Sequence, residues 1–113
     1  MAQTVPAQVA RVTDGDTFRL TTGERIRIAA IDAPETQEGQ AQCALELRLG
    51  RAASQRLRAM IEGEQVTIER TGRSYNRTVA RVRFNGRDLG GELVRLGIAR
   101  PWPRGTPKPD WCS

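Results

Sequence analysis

Thr17-Phe18-Arg19-Leu20-Thr21, then Thr22-Gly23-Glu24, then Arg25-Ile26-Arg27-Ile28-Ala29-Ala30-Ile31: residues 17–31 decide the fold. The first five residues are rich in β-branched and aromatic types and read as a strand. Thr22-Gly23-Glu24 supplies a hairpin turn, and in 25–31 Ile26, Ile28 and Ala30 alternate with Arg25, Arg27 and Ala29. A period of two puts Arg27 on the face opposite the two isoleucines of a second strand. Upstream, residues 7–13 form another strand, separated from 17–21 by a bend or bulge at Asp14-Gly15-Asp16. Downstream, Pro34 halts the extended run, and 35–41 lacks apolar periodicity and reads as a loop.

From about 42 to 62, Leu45, Leu49, Ala53, Leu57, Met60 and Ile61 recur at spacings of three and four. That pattern predicts an amphipathic helix closed by Gly63, with Gly50 explained by close contact with the sheet. Residues 65–70 and 78–84 alternate as two more strands around a polar loop at 71–76. Asn85-Gly86 is a tight turn requiring positive φ, and Asp88 caps a short helix ended by Gly97. The order of three strands, helix, two strands and short helix implies a mainly β protein with α (α+β). Its architecture would be a five-stranded barrel of OB type, with the long helix between strands 3 and 4 and the short one after strand 5. Residues 1–100 form the domain, and 101–113 form a Pro-rich tail that is ordered only if something pins it.

At 113 residues the chain suits one core. No apolar run is long enough to span a membrane and no secretion signal is evident, so a soluble protein is expected. Seventeen of its 18 basic residues are Arg, and Lys108 is the exception. The resulting net charge of +5 suits a polyanion such as nucleic acid. The absence of His excludes Ser-His-Asp and Cys-His chemistry and leaves acid-base work to carboxylates, Tyr75, Cys or the lysine. Cys43 and Cys112 lack zinc-ribbon or C-x-x-C spacing and form either one disulfide or nothing.

Within this basic chain, six of the 13 acidic residues (Asp14, Asp16, Glu24, Asp32, Glu35 and Glu38) fall in the first 40 positions. Asp16 opens strand 2 and Asp32 closes strand 3, nearly equidistant from the Gly23 turn, so both carboxylates emerge at one end of the barrel. Each read singly is a turn or strand-end residue. Together they repel unless a cation lies between them, and hard oxygen ligands select Ca²⁺ or Mg²⁺. Glu35 follows across the rigid Pro34, Arg27 shares the strand of Asp32, and Arg77 follows Ser74-Tyr75-Asn76. One divalent cation with two planar guanidinium groups suffices to stabilise a phosphodiester under attack by water.

The Asp14-Gly15-Asp16-Thr17 box, Arg27 with Asp32-Ala33-Pro34-Glu35-Thr36, Tyr75-Asn76-Arg77 and Leu93-Val94-Arg95-Leu96-Gly97-Ile98-Ala99 occur in this order. On them the chain resembles the staphylococcal nuclease (thermonuclease) family from about Val9 to Trp102. The resemblance implies an OB-fold enzyme that binds one Ca²⁺, in preference to Mg²⁺ or Mn²⁺. Such an enzyme hydrolyses DNA and RNA with little sequence preference, favours single or accessible strands and leaves 3′-phosphate ends. By position it implies Asp16 and Asp32 as metal ligands with the Ala33 carbonyl, Glu35 as general base, Arg27 and Arg77 as phosphate clamps, and Tyr75 in the nucleotide pocket. The chain departs from the family in Ser74 and in Asn76, which stands where Gly is usual and is expected to accept the left-handed backbone. It also lacks the tyrosines after the second helix, with Trp102 nearby as a stacking surface, and stops before a third helix.

If the tail folds back over the first helix, a Cys43–Cys112 bridge would replace that helix as a pin. Closing a loop of roughly 70 residues contributes ~4 kcal/mol. A disulfide would indicate a secreted or periplasmic protein, while the lack of an evident secretion signal leaves a cytoplasmic location open. A monomer with no membrane partner is expected. The competing function is a non-catalytic OB module that binds single-stranded nucleic acid, disfavoured because the acidic box and both arginines are present. A basic interaction domain with no nucleic-acid role would leave the acidic cluster unexplained.

Overall fold

The computed structural model describes residues 3–113. The strands are β1 (Thr4–Asp14), β2 (Thr17–Leu20), β3 (Arg25–Ile28), β4 (Ile31–Asp32), β5 (Gln65–Ser74), β6 (Arg77–Phe84), β7 (Arg87–Asp88) and β8 (Arg100–Pro101). The helices are α1 (Ala44–Ile61), between β4 and β5, and α2 (Leu89–Arg95), after β7. β3, β2, β1, β5 and β6 pair antiparallel in that order, and β3 closes onto β6 in parallel with Ile26 opposite Thr78 and Ile28 opposite Ala80. A five-stranded closed barrel with two helices results, consistent with an OB fold. Its interior holds Phe18, Ile26, Ile28, Ile68 and Val82, all essentially without solvent contact, and Leu57, Ile61, Leu89 and Leu93 from the helices complete the core.

Three departures from the sequence expectation bear on the site. First, the strand expected over 25–31 breaks at Ala29-Ala30, where Ala30 takes a φ of 65°. The break is tertiary in origin: the Ala29 N–H donates to the Ala80 carbonyl at 2.8 Å, and the Ala30 carbonyl accepts from Trp102 N–H at 2.8 Å. The chain then resumes as β4, which pairs with β8 so that Asp32 stands opposite Arg100. The tail is thus joined to the segment that carries Asp32.

Second, the polar stretch 71–76 is a ribbon. β5 and β6 stay paired out to Ser74 and Arg77, leaving Tyr75-Asn76 as a two-residue turn. Tyr75, at φ 57°, is the residue in the left-handed region, and Asn76 is absent from the positive-φ residues, contrary to expectation. Asn85 and Gly86 both have positive φ (54° and 76°), as their tight turn demands.

Third, α1 buries a different face in its first half. Leu45 and Leu49 are 38% and 37% exposed, while Glu46, Gly50, Ala53 and Ser54 are buried. Leu57 and Ile61 cover the barrel as expected, but the N-terminal half lies against loops, where small and polar groups fit. A Cβ on Gly50 would stand 2.0 Å from the Glu35 carbonyl oxygen and 2.8 Å from that of Pro34. The glycine therefore accommodates the loop before the helix, not the sheet. Gly63 ends the helix at φ 80°, and Asp88 caps α2 by accepting from Gly91 N–H at 2.9 Å.

The tail 101–113 folds back and is fixed by a Cys43–Cys112 disulfide, with Cα atoms 6.1 Å apart. Cys43 is also the N-cap of α1, so the bridge staples the end of the chain to the helix start. No third helix follows α2 among the described residues.

Candidate active site

The turn between β1 and β2 delivers Asp16. Gly15 allows this turn to nest against α1 and the loop after β4, since a Cβ there would meet those of Ala33 and Ala53 at 2.8 and 2.9 Å. Asp16 is 6% exposed; its Oδ2 accepts from Ala33 N–H at 3.0 Å and its Oδ1 from the Thr17 hydroxyl at 2.8 Å. The hairpin register sets Thr17 opposite Arg27. Arg27 Nη1 therefore lies 2.9 Å from Asp16 Oδ2, and Nη2 lies 3.7 Å from Asp32 Oδ1. The Nη1 contact is a short, buried ion pair.

Asp32 is 2% exposed at the end of β4. Lys108 Nζ donates to both of its oxygens, at 3.0 and 2.9 Å, and Trp111 Nε1 donates to Oδ2 at 2.9 Å. The same ammonium lies 3.9 Å from Glu35 Oε1. Trp102 packs beside Arg27 and Lys108, each cation 5.5 Å from its ring centre, and Arg100 stacks 4.2 Å above Trp111.

The half-buried Glu35 is held by α1. Glu46, 2% exposed in the first turn of that helix, accepts from Glu35 N–H at 3.1 Å and from Gln42 N–H at 2.8 Å. Burial raises the Glu35 carboxyl above the ordinary range; Lys108 opposes the shift, and the charges of Asp16, Asp32 and Glu46 reinforce it. Burial, reinforced by the charge of the neighbouring Asp16, also pushes the Asp14 carboxyl up to about 8. Burial works against Asp16 too, but the hydrogen bond with Asp14, the Arg27 charge and the Ala33 and Thr17 donors outweigh it and hold that carboxyl low.

Asp16, Arg27, Asp32, Ala33, Glu35, Tyr75 and Arg77, the residues singled out in the sequence, line one cavity of about 180 Å³ together with Trp102 and Lys108. Arg77, half-buried at the start of β6, has no ion pair among the described residues, and Tyr75 is 94% exposed at the ribbon tip. A larger opening of about 660 Å³, lined by Asp14, Arg19, Glu35, Tyr75 and Arg77, adjoins it.

Sequence reading missed Glu46, Lys108 and Trp111 as parts of the site. Glu46 carried a signal in Cys43-x-x-Glu46, the spacing of a capping box, with Glu46 N–H 3.4 Å from Cys43 Sγ. Lys108 was conspicuous as the single lysine, but its contact spans 76 residues and leaves no local pattern.

The donor set fits a hard divalent cation. Asp16 and Asp32 bring carboxylate oxygens to one cavity with Glu35 beside them, hard donors of the kind such a cation takes. Among the described residues, no group of three or more His, Cys, Asp or Glu side chains is already spaced to hold a metal, and Lys108 supplies the cation facing Asp32. Among the described residues, no helix is long and apolar enough to cross a membrane.

A family model described as staphylococcal nuclease homologue matches residues 25–108. The match includes Arg27, Asp32, Ala33, Glu35, Tyr75, Arg77 and Lys108; Asp16 lies upstream of it and joins the site through its contact with Arg27. No curated protein matches the chain.

Proposed function

Because the chain belongs to the family of staphylococcal nuclease homologues, we propose that it hydrolyses phosphodiester bonds in DNA and RNA with Ca²⁺ as cofactor and little sequence preference. The observation that carries this reading is the shared cavity lined by the acidic cluster and the two arginines. Asp16, Asp32 and the Ala33 carbonyl would hold the cation, which when bound supplies positive charge to a phosphoryl oxygen. Arg27, held by Asp16 and Asp32 at the cavity wall, is the first guanidinium for a phosphate oxygen, and Arg77 provides the second fork. Glu35, with its raised proton affinity, takes a proton from the attacking water. As the water oxygen bonds to phosphorus the P–O5′ bond breaks, O5′ takes up a proton, and a 3′-phosphate and a 5′-hydroxyl are left. Tyr75 at the ribbon tip lies where an unpaired base can stack, which favours single or accessible strands.

The disulfide supports a secreted or periplasmic site of action, and we take the monomer as the active unit. One observation favours the alternative of a non-catalytic module that binds single strands: Lys108 already neutralises Asp32. Digestion of single-stranded DNA by the oxidised protein, with Ca²⁺ or with EDTA, separates the two. Cleavage with Ca²⁺, absent in EDTA and in Asp16→Ala, is the expected result. Retention of the strand without cleavage in either buffer would favour the binding module.

A further inference from the structure

Lys108 contributes an ammonium to Asp32, one of the two carboxylates assigned above to the divalent cation, and it arrives on a covalently fixed segment. Its Nζ is within 3.0 Å of both Asp32 oxygens and 3.9 Å from Glu35. With Trp111 Nε1 on Oδ2 as well, Asp32 has both oxygens engaged by the tail. The two contacts differ in permanence. Trp111 is 6% exposed and adjoins the disulfide, whereas the Lys108 side chain is 45% exposed and ends a flexible stem. Trp111 can stay while Lys108 swings out.

We propose that Lys108 is a tethered counter-cation that competes with the divalent ion for Asp32, so that the disulfide-fixed strap sets the cation concentration the protein needs. The inference rests on the reading of Asp16, Asp32 and Ala33 as the cation site. A ligand that binds only the fraction of molecules with Lys108 displaced shows an apparent Kd raised by the reciprocal of that fraction. Two charge-assisted hydrogen bonds to a buried carboxylate bias that fraction strongly towards the docked state. The strap also presents Arg104, which is exposed and has no ion pair among the described residues. It adds the same charge nearby without occupying the carboxylates.

The test is calorimetric titration of CaCl₂ into the full-length oxidised protein without nucleic acid, for wild type, Lys108→Gln, Lys108→Met and Arg104→Gln. The expected result is Ca²⁺ bound at least ~10-fold more tightly by both Lys108 variants, equivalent to about 1.4 kcal/mol, and less than ~2-fold more tightly by Arg104→Gln. The thermal midpoint should also rise more with saturating Ca²⁺ in the Lys108 variants, so that either folded variant is informative. Equal or weaker affinity in the Lys108 variants overturns the competition while leaving the cation site standing. An equal gain in Arg104→Gln overturns it as well, because the general field would then account for the effect. No binding to any of the four proteins overturns both the competition and the site beneath it.

Discussion

Gly50→Ala is the substitution for which local and tertiary reasoning disagree in sign. In an exposed helix interior the change should stabilise by about 1 kcal/mol. Here the new methyl would sit 2.0 Å from the Glu35 carbonyl oxygen, 2.5 Å from its carbon and 2.8 Å from the Pro34 oxygen. These are backbone atoms in a loop also held by Glu46, so no rotamer change relieves the overlap. Overpacking costs typically 1–3 kcal/mol, and with backbone as the obstacle the upper part of that range, about 2–3 kcal/mol, applies; less the propensity gain, a net loss of about 1–2 kcal/mol is expected. For a domain of this size that is a fall in thermal midpoint of roughly 4–12 °C by calorimetry. The relief route displaces Glu35, and under the proposed mechanism a shift of order 1 Å in that group should lower kcat by roughly 100-fold with less effect on KM. Gly72→Ala is the matched control, because its Cβ meets nothing within 4 Å and its φ is not in the left-handed region. A Gly50→Ala protein as stable as wild type, or more so, would refute the close packing of α1 on the Glu35 loop.

Replacing both cysteines by serine opens the loop between positions 69 residues apart and should destabilise the protein by up to ~4 kcal/mol, read from urea midpoints against wild type under non-reducing conditions. Glu24 is pulled down to about 2 by its hydrogen bonds from Arg70, with burial opposing and Thr78 assisting. Its folded pKa lies below the unfolded value, so its contribution is complete above about pH 4.5 and fades as pH falls towards 2. Wild type should therefore exceed Glu24→Gln in thermal midpoint at pH 6 and converge with it near pH 2.5; a gap that does not narrow would contradict this. Glu46→Gln keeps one acceptor oxygen and loses the other, leaving either Glu35 N–H or Gln42 N–H without its partner. About 1–2 kcal/mol of stability should be lost, with faster amide exchange at whichever position is freed.

Most of the barrel was legible because its residues obey local rules. Ile26 and Ile28 alternate with arginines and are buried, Asn85-Gly86 takes its two positive φ values, and Gly63 and Asp88 mark helix boundaries as expected. The site residues were legible for a related reason. Asp16 and Arg27 face each other through a hairpin register that follows from the turn, and Asp32 lies a few residues further along. What escaped was set by partners far away in the chain. Ala29-Ala30 looks like a continuing strand until Trp102 and Ala80 claim its backbone groups. Leu45 and Leu49 fit a helical stripe, but the neighbour of that half of α1 is a loop that accepts Gly50 and Glu46 instead. The tail has no periodicity of its own; it is ordered by the disulfide and by Lys108 and Trp111 on Asp32.

The most direct test of the central claim, that the carboxylates and guanidinium groups gathered at one cavity hydrolyse nucleic acid, is end-group analysis of a single-stranded oligonucleotide incubated with Ca²⁺. Wild type should yield fragments with 3′-phosphate and 5′-hydroxyl ends, with the rate reduced at least about 100-fold in Glu35→Gln. An intact oligonucleotide with wild type, or the same cleavage rate in wild type and Glu35→Gln, would contradict it.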